Sequence, residues 1–232
     1  MHNPNLLFES YAGSENNIAR SLLVWEAIQW LGESKGKIFD QRNLIAGREY
    51  LHIGCGDQLL PGFINLDCHT KKSLLAVFGD KIFRKDLRNG LPFPSNSFKG
   101  IFTEHCLEHL NPRESFGVLK EIHRTLKPGG AARIIVPDAQ KYVDYYNDKI
   151  SSLPTDSHGE FNNWKLGGEA LRGLTCYLGH YTMYDTEMLL KYLEYIGFSR
   201  FVESSFGESI ASELVCDTPG REWNSLYVDA IK

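Results

Sequence analysis

Residues 50–57, YLHIGCGD, set Gly54 and Gly56 directly after an apolar, β-branched run. Such a loop lets backbone approach a ligand with no Cβ in the way. Further on, FINLD closes a second apolar run with Asp67. An acid at that point of an open α/β sheet can accept the hydroxyls of a ribose. Together these residues outline a site for an adenosyl cofactor. The loop lacks the GKS/T series that cradles a nucleotide triphosphate. In a dinucleotide fingerprint, residue 59 would be the third glycine, but it is Leu59. Pro61-Gly62 also interrupts the short stretch before Asp67, leaving little room for a crossover helix. A nicotinamide dehydrogenase needs that helix's N-terminus for its pyrophosphate, so the loop disfavours one.

A second constellation is His105-Cys106-Leu107-Glu108-His109. H-x-x-E-H is the inverted zinc-peptidase signature. On a continuous helix the three side chains would share one face. Here Asn111-Pro112 starts a new helix cap barely one turn later, so a zinc hydrolase is retained only as an alternative. A third polar position, His180, comes just before YTMYDTEM.

Several elements must position these residues. Ser14 can cap an N-terminal helix that carries Ile18, Leu22, Trp25, Ile28 and Leu31 and ends at Gly32. Strand-like runs follow near 49–53, 63–67, 81–85, 99–104 and 131–136, with helices or loops between them. That alternation predicts a parallel sheet covered on both faces. Asn111, Pro112 and Glu114 predict the start of a helix over 112–126, whose stripe is Phe116, Leu119, Ile122 and Leu126. Lys127-Pro-Gly-Gly is expected to end it. Asp185 opens another helix, with Leu189, Leu190, Leu193 and Ile196 inward and Gly197 as its C-cap. Phe198 is expected to begin the next strand. FSRFVES and SLYVDAI read as a terminal strand pair.

The chain has 232 residues and a formal net charge of −4, so no basic field gathers nucleic acid. No apolar run reaches the roughly 18 residues of a membrane span. Five cysteines form no CxxC pair, and no secretory h-region is recognisable at the start. The expectation is a cytoplasmic chain with reduced thiols.

The series LHIGCGD, FINLD, KDLRNGLPFPSNSFKGIFTEHCLEHL and LKEIHRTLKPGGAARIIVPD resembles class I S-adenosylmethionine-dependent methyltransferases of the type 11 group. It is most similar to members encoded among polysaccharide-biosynthesis genes. The likeness runs over 49–138 and resumes at GHYTMYDTEMLLKYLEYIGFSRF. It implies a Rossmann-like, doubly wound α/β/α sandwich. The sheet would be mostly parallel and seven-stranded, with a terminal antiparallel pair. It implies S-adenosylmethionine as cofactor and S-adenosylhomocysteine as product. By the same resemblance, Gly54, Cys55 and Gly56 wrap the methionine part, and Asp57 lies near its amino group. Asp67 grips the ribose, while Asp86 and Leu87 flank adenine. Thr103, Glu104 and His105 stand beneath the sulfonium. Lys99 departs from the family, which usually has an acid there.

A hydroxyl acceptor calls for a base, and the candidates are His105 and then His180. No metal ligand is assigned. The alternative is a divalent ion at Glu108 and His109 with a later histidine such as His180. Small-RNA 2′-O-methyltransferases hold an ion with a similar Glu-x-x-Glu-His series, whereas many metal-free type 11 members also carry Leu-Glu-His. The expected organisation is one domain. It comprises an N-terminal helical segment (1–48), a cofactor core (49–138), an acceptor lid (139–183) and a C-terminal helix and strand pair (184–232). Tyr142, Tyr145, Tyr146, Phe161, Trp164, Tyr177 and Tyr181 would furnish the lid, or equally a satellite core or dimer contacts. The expected reaction is methyl transfer, at oxygen, to a small or carbohydrate-linked acceptor. The rival is a non-catalytic module that binds cofactor or a partner on the same fold. Oligomeric state stays open, a homodimer being one option.

Overall fold

β-Branched and aromatic residues pair into a seven-stranded sheet in the computed structural model, with order β3-β2-β1-β4-β5-β7-β6. The structure describes residues 46–68, 81–149, 166–177 and 179–232. The chain divides into units Met1–Asn43 and Leu44–Lys232, and every described residue belongs to the second. The helix expected from Ser14 to Gly32 lies outside the described residues, as do Phe161 and Trp164.

Strands β1 (Tyr50–Ile53), β2 (Phe63–Asp67), β3 (Ile82–Arg84), β4 (Phe98–Glu104) and β5 (Leu126–Pro137) run parallel. β6 (Arg200–Ser204) and β7 (Ser225–Ile231) complete the sheet antiparallel, with β7 between β5 and β6. This is the Rossmann-like sheet with a terminal antiparallel pair that the sequence predicts. β1 leads to β2 on one side and pairs with β4 on the other, so the strand order reverses there. Ligands of open α/β sheets bind at the carboxyl edge beside such a reversal.

Alternation along the strands feeds two cores. Ile101, Ile134 and Val136 point to one face, where α1 (Pro112–Thr125) and α4 (Thr186–Ile196) add Val118, Leu119, Ile122, Leu189 and Leu193. Phe102, Ile135 and Tyr227 point to the other and pack with Phe63 and Leu214. Two short helices, α2 (Ala139–Tyr146) and α3 (Gly167–Arg172), carry a small separate core in which Tyr142, Ala170 and Leu174 are buried. Tyr145 and Trp223 pack against it.

The start of α1 is as predicted. Asn111 Oδ1 accepts from the N–H groups of Arg113 and Glu114, and Glu114 reaches back to the Asn111 N–H, a complete capping box. Its end comes one residue earlier than expected, at Thr125. Pro128 disfavours helical backbone at Lys127, and Leu126 turns extended and pairs with Phe98. Lys127-Pro-Gly-Gly therefore lies within β5, at an irregularity of the β4 ladder, not in a helix terminus. Gly130 is needed there, because a Cβ would sit 2.9 Å from the carbonyl oxygens of Lys127 and Lys99. A second difference concerns Phe198. Its N–H still donates to Leu193 O in a Schellman closure of α4 around left-handed Gly197, so β6 begins only at Arg200.

Candidate active site

The glycine loop folds back on the end of β2. Gly54 and Cys55 both donate their N–H groups to Leu66 O, and Gly56 N–H donates to Asp67 Oδ2 at 2.8 Å. Gly54 and Gly56 are left-handed, with φ of 70° and 54°. They differ in what surrounds them. A Cβ on Gly54 would collide with the Cys106 side chain, so this glycine lets the turn after β4 close on the loop. A Cβ on Gly56 would meet no protein atom within 4 Å, so this side of the loop is open to a ligand. The residues from Asp57 to Gly62 form turns and no helix, as their number and Pro61-Gly62 predict. No helix N-terminus faces the loop from that crossover, and a pyrophosphate has no cradle there.

Asp86 follows β3 and caps a single 3-10 turn, Leu87–Asn89. Its buried carboxylate accepts from the Arg88 N–H at 3.0 Å and from Arg88 Nε at 3.1–3.2 Å. Leu87 is half-buried beside it, and Asp57 is exposed. Cys55 is buried, which pushes its thiol up to about 12, so it is no nucleophile at neutral pH. Lys99 sits at the opposite end of β4 and pairs with Glu49 at 2.6 Å, so this departure from the family lies away from the carboxyl edge.

At the carboxyl end of β4, Thr103 and Glu104 are buried. Glu104 accepts from the Thr218 N–H at 3.1 Å and from the Thr218 hydroxyl. His105 departs from the strand with φ 48°, a region that side chains with a Cβ seldom enter. Its Nε2 lies 2.7 Å from Ser225 Oγ, whose proton is directed to Asn224 Oδ1. His105 Nε2 therefore donates, and the Nδ1 lone pair faces Glu108 Oε1 at 3.4 Å. Burial holds the His105 imidazole well below its ordinary pKa, and Arg221 pushes the same way.

Leu107, Glu108 and His109 make one isolated 3-10 turn, and α1 starts at Pro112. H-x-x-E-H is thus not on a continuous helix, which removes the zinc-hydrolase alternative in its helical form. Glu108 is 1 % exposed, and burial pushes its carboxyl up to about 8. His180 comes from the segment before α4. Its Nδ1 lies 2.7 Å from Leu174 O, and burial lowers its pKa to about 4. The structure brings His180 edge-on to His109, with ring centroids 4.9 Å apart.

Sequence reasoning missed Thr218 and Ser225. Thr218 comes from the C-terminal connection and Ser225 opens β7; the Thr218 hydroxyl oxygen also lies 3.2 Å from Gln58 Oε1, while Gln58 Nε2 donates to Cys216 O. Topology holds the signal that would have found Ser225. β7 runs antiparallel beside β5, so its first residue must lie opposite Pro137 at the carboxyl edge.

Residues 51–134, a little over a third of the chain, match a family described as a methyltransferase domain. That stretch holds the glycine loop, Asp67, Asp86 and the end of β4. No curated protein matches the chain. Among solved structures, an S-adenosylmethionine-dependent methyltransferase from Archaeoglobus fulgidus is similar with a TM-score of 0.51 and 17 % identity, over 83 % of this chain and 91 % of that one. A possible histamine N-methyltransferase from Thermotoga maritima is similar with a TM-score of 0.51 and 16 % identity, over 82 % and 85 %. These likenesses show the fold. The domain match adds support for the S-adenosylmethionine-dependent class. No helix among the described residues is long and apolar enough to cross a membrane.

Proposed function

We propose that the chain transfers a methyl group from S-adenosylmethionine to the oxygen of a small or carbohydrate-linked acceptor. One observation carries the reading. A left-handed glycine loop, open at Gly56, is bonded to Asp67, and Asp86 and Glu104 stand at other strand ends of the same carboxyl edge, where the strand order reverses. Carboxylates suit a sulfonium cation, and the loop offers nothing for a phosphate.

Gly54, Cys55, Gly56 and Asp57 would hold the methionine part and Asp67 the ribose. Asp86 and Leu87 would flank adenine, with Arg88 fixing the Asp86 carboxylate in place. Thr103, Glu104 and His105 would line the reacting end. Bound there, the cofactor supplies an electrophilic methyl whose transfer discharges the sulfonium. The protein aligns the acceptor and excludes water, which can lower a barrier by roughly 7–11 kcal/mol. The bonds of Thr218 to Glu104 and of Gln58 to Cys216 draw the C-terminal connection over this edge and serve that exclusion. His105 takes the acceptor proton at Nδ1 while Ser225 fixes its ring, and His180 is the second imidazole of the acceptor side. The saccharide class rests on the resemblance to members from polysaccharide-biosynthesis clusters, which is an analogy.

The test is a labelled-methyl transfer assay over sugars, sugar nucleotides and small alcohols, with 13C NMR of the product. A new O-methyl resonance is expected. Transfer to nitrogen or carbon instead would overturn the oxygen assignment. Cofactor binding with no transfer to any acceptor would assign a non-catalytic binding module.

A further inference from the structure

Methyl transfer leaves Glu108 without a task. Its carboxyl is buried, and neither oxygen has a hydrogen-bond partner. Such a group is costly to bury, and an unpartnered carboxyl inside a protein asks what it is for. Its neighbours are imidazoles. His105 Nδ1 lies 3.4 Å and His109 Nε2 4.0 Å from Glu108 Oε1. The donor atoms of Glu108, His109 and His180 all lie within 4.8 Å of one another.

The two rings are held in the tautomer a metal needs. His180 Nδ1 faces Leu174 O at 2.7 Å and His109 Nδ1 faces Gly179 O at 3.4 Å. A carbonyl can only accept, so Nδ1 carries the proton in each ring and the Nε2 lone pair is left to bind. A backbone carbonyl on the far nitrogen is how ligating histidines are commonly oriented. Backbone brings the third donor to the other two. Tyr181 and Thr182 both donate their N–H groups to Glu108 O, and Thr182 Oγ1 donates to Leu110 O. These bonds pin the segment carrying His180 onto the turn carrying Glu108 and His109.

We infer that Glu108, His109 and His180 form a binding site for a divalent first-row transition ion such as zinc or cobalt. Tetrahedral donors about 2.1 Å from an ion stand about 3.4 Å apart, so small side-chain rotations complete the site. Two imidazole nitrogens with one carboxylate favour such ions over magnesium or calcium, which prefer oxygen ligands. Three protein donors leave a position for water or a substrate oxygen. His105 is outside the set: its Nδ1 faces Glu108 alone, and its donor atoms do not join the mutually close group that Glu108, His109 and His180 make. As a ligand His180 has no lone pair left for proton transfer, so the base role falls to His105 alone.

The experiment titrates Co2+ into chelator-stripped full-length protein and reads the visible d–d bands and stoichiometry. One cobalt per chain with a low-symmetry spectrum is expected. His109→Ala and His180→Ala should each weaken binding by about a hundredfold or more, as loss of a ligand must exceed loss of its orienting partner. Glu108→Gln should also lose the ion, and its metal-free thermal midpoint should be unchanged or higher, because no hydrogen bond is removed. His105→Ala should still bind. No binding at concentrations on the order of 1 mM would overturn the inference. So would binding indifferent to His109 and His180, or lost only with His105. S-adenosylhomocysteine titrated into the same stripped protein keeps the two readings apart. Product binding without cobalt binding sinks the ion alone, and cobalt binding without product binding sinks methyl transfer alone.

Discussion

His105 illustrates what a single residue is asked to do at this edge. Its backbone sits at φ 48°, a left-handed conformation that costs roughly 1–2 kcal/mol for a side chain with a Cβ. Ser225 on Nε2 keeps the ring where β4 ends. Asparagine tolerates left-handed backbone better than most residues and carries no base. His105→Asn should therefore fold with a wild-type melting curve while its turnover falls by roughly 10²–10⁴-fold. Steady-state kinetics at saturating donor would show this, and unchanged turnover would remove His105 from proton transfer. His52, on the neighbouring strand, makes a stability prediction. It is buried, hydrogen-bonded to Asn65, and lowered by burial to a pKa of about 4. Between its ordinary value near 6.5 and 4, the unfolded chain binds a proton that the folded chain refuses. Stability contributed by this site is therefore full above that window and is lost as pH falls through it, by at most about 3 kcal/mol. Urea midpoints at pH 7 and pH 4.5 should diverge less in His52→Gln than in the wild type.

At the scale of elements, the C-terminal connection before β7 has little regular structure, and Arg133 of β5 holds it. The guanidinium is fully buried, pairs with Asp217 at 2.6 Å and Asp229 at 3.0 Å, and donates to the carbonyls of Ser205 and Glu208. Removing one partner of a buried pair leaves the other charge uncompensated, at a cost of about 3–5 kcal/mol. Arg133→Met should lose about that much stability in chemical denaturation. It should also speed proteolysis of the 205–220 segment, since Asp217 adjoins Thr218, which bonds Glu104. A variant as stable as the parent would show that the ion cluster is not what fastens the connection. Local elements were the most legible part of the sequence. Asn111-Pro112-Glu114 and Asp185 to Gly197 carry their start and stop signals within a few residues, and both helices form there. Arg133 carried no such sign, because its partners lie 84 and 96 residues away. The passage of β5 through Pro128-Gly129-Gly130 was also hidden. Proline and glycine there read as helix punctuation, whereas pairing with β4 and β7 decides the structure.

Across the whole molecule, the sheet order gathers three acidic side chains at one edge. Asp67 ends β2, Asp86 follows β3 and Glu104 ends β4. Their clustering at the carboxyl edge was readable once alternating strands and helices implied a parallel sheet. The contribution of β7 was not, because an antiparallel return brings Ser225 back to the same edge from the far end of the chain. The histidines followed the same rule. Glu108 and His109 were visible as neighbours in sequence, but only the packing of 179–182 onto Glu108 O brings His180 to them.

The central claim is that this edge binds an adenosyl cofactor through Asp67. Calorimetric titration of chelator-treated protein with S-adenosylhomocysteine, beside Asp67→Ala, tests it most directly. One molecule per chain is predicted at a Kd on the order of 1–10 μM, weakened at least about tenfold in the variant. A folded wild-type protein that takes up none, or a variant that binds as tightly as its parent, would contradict the account.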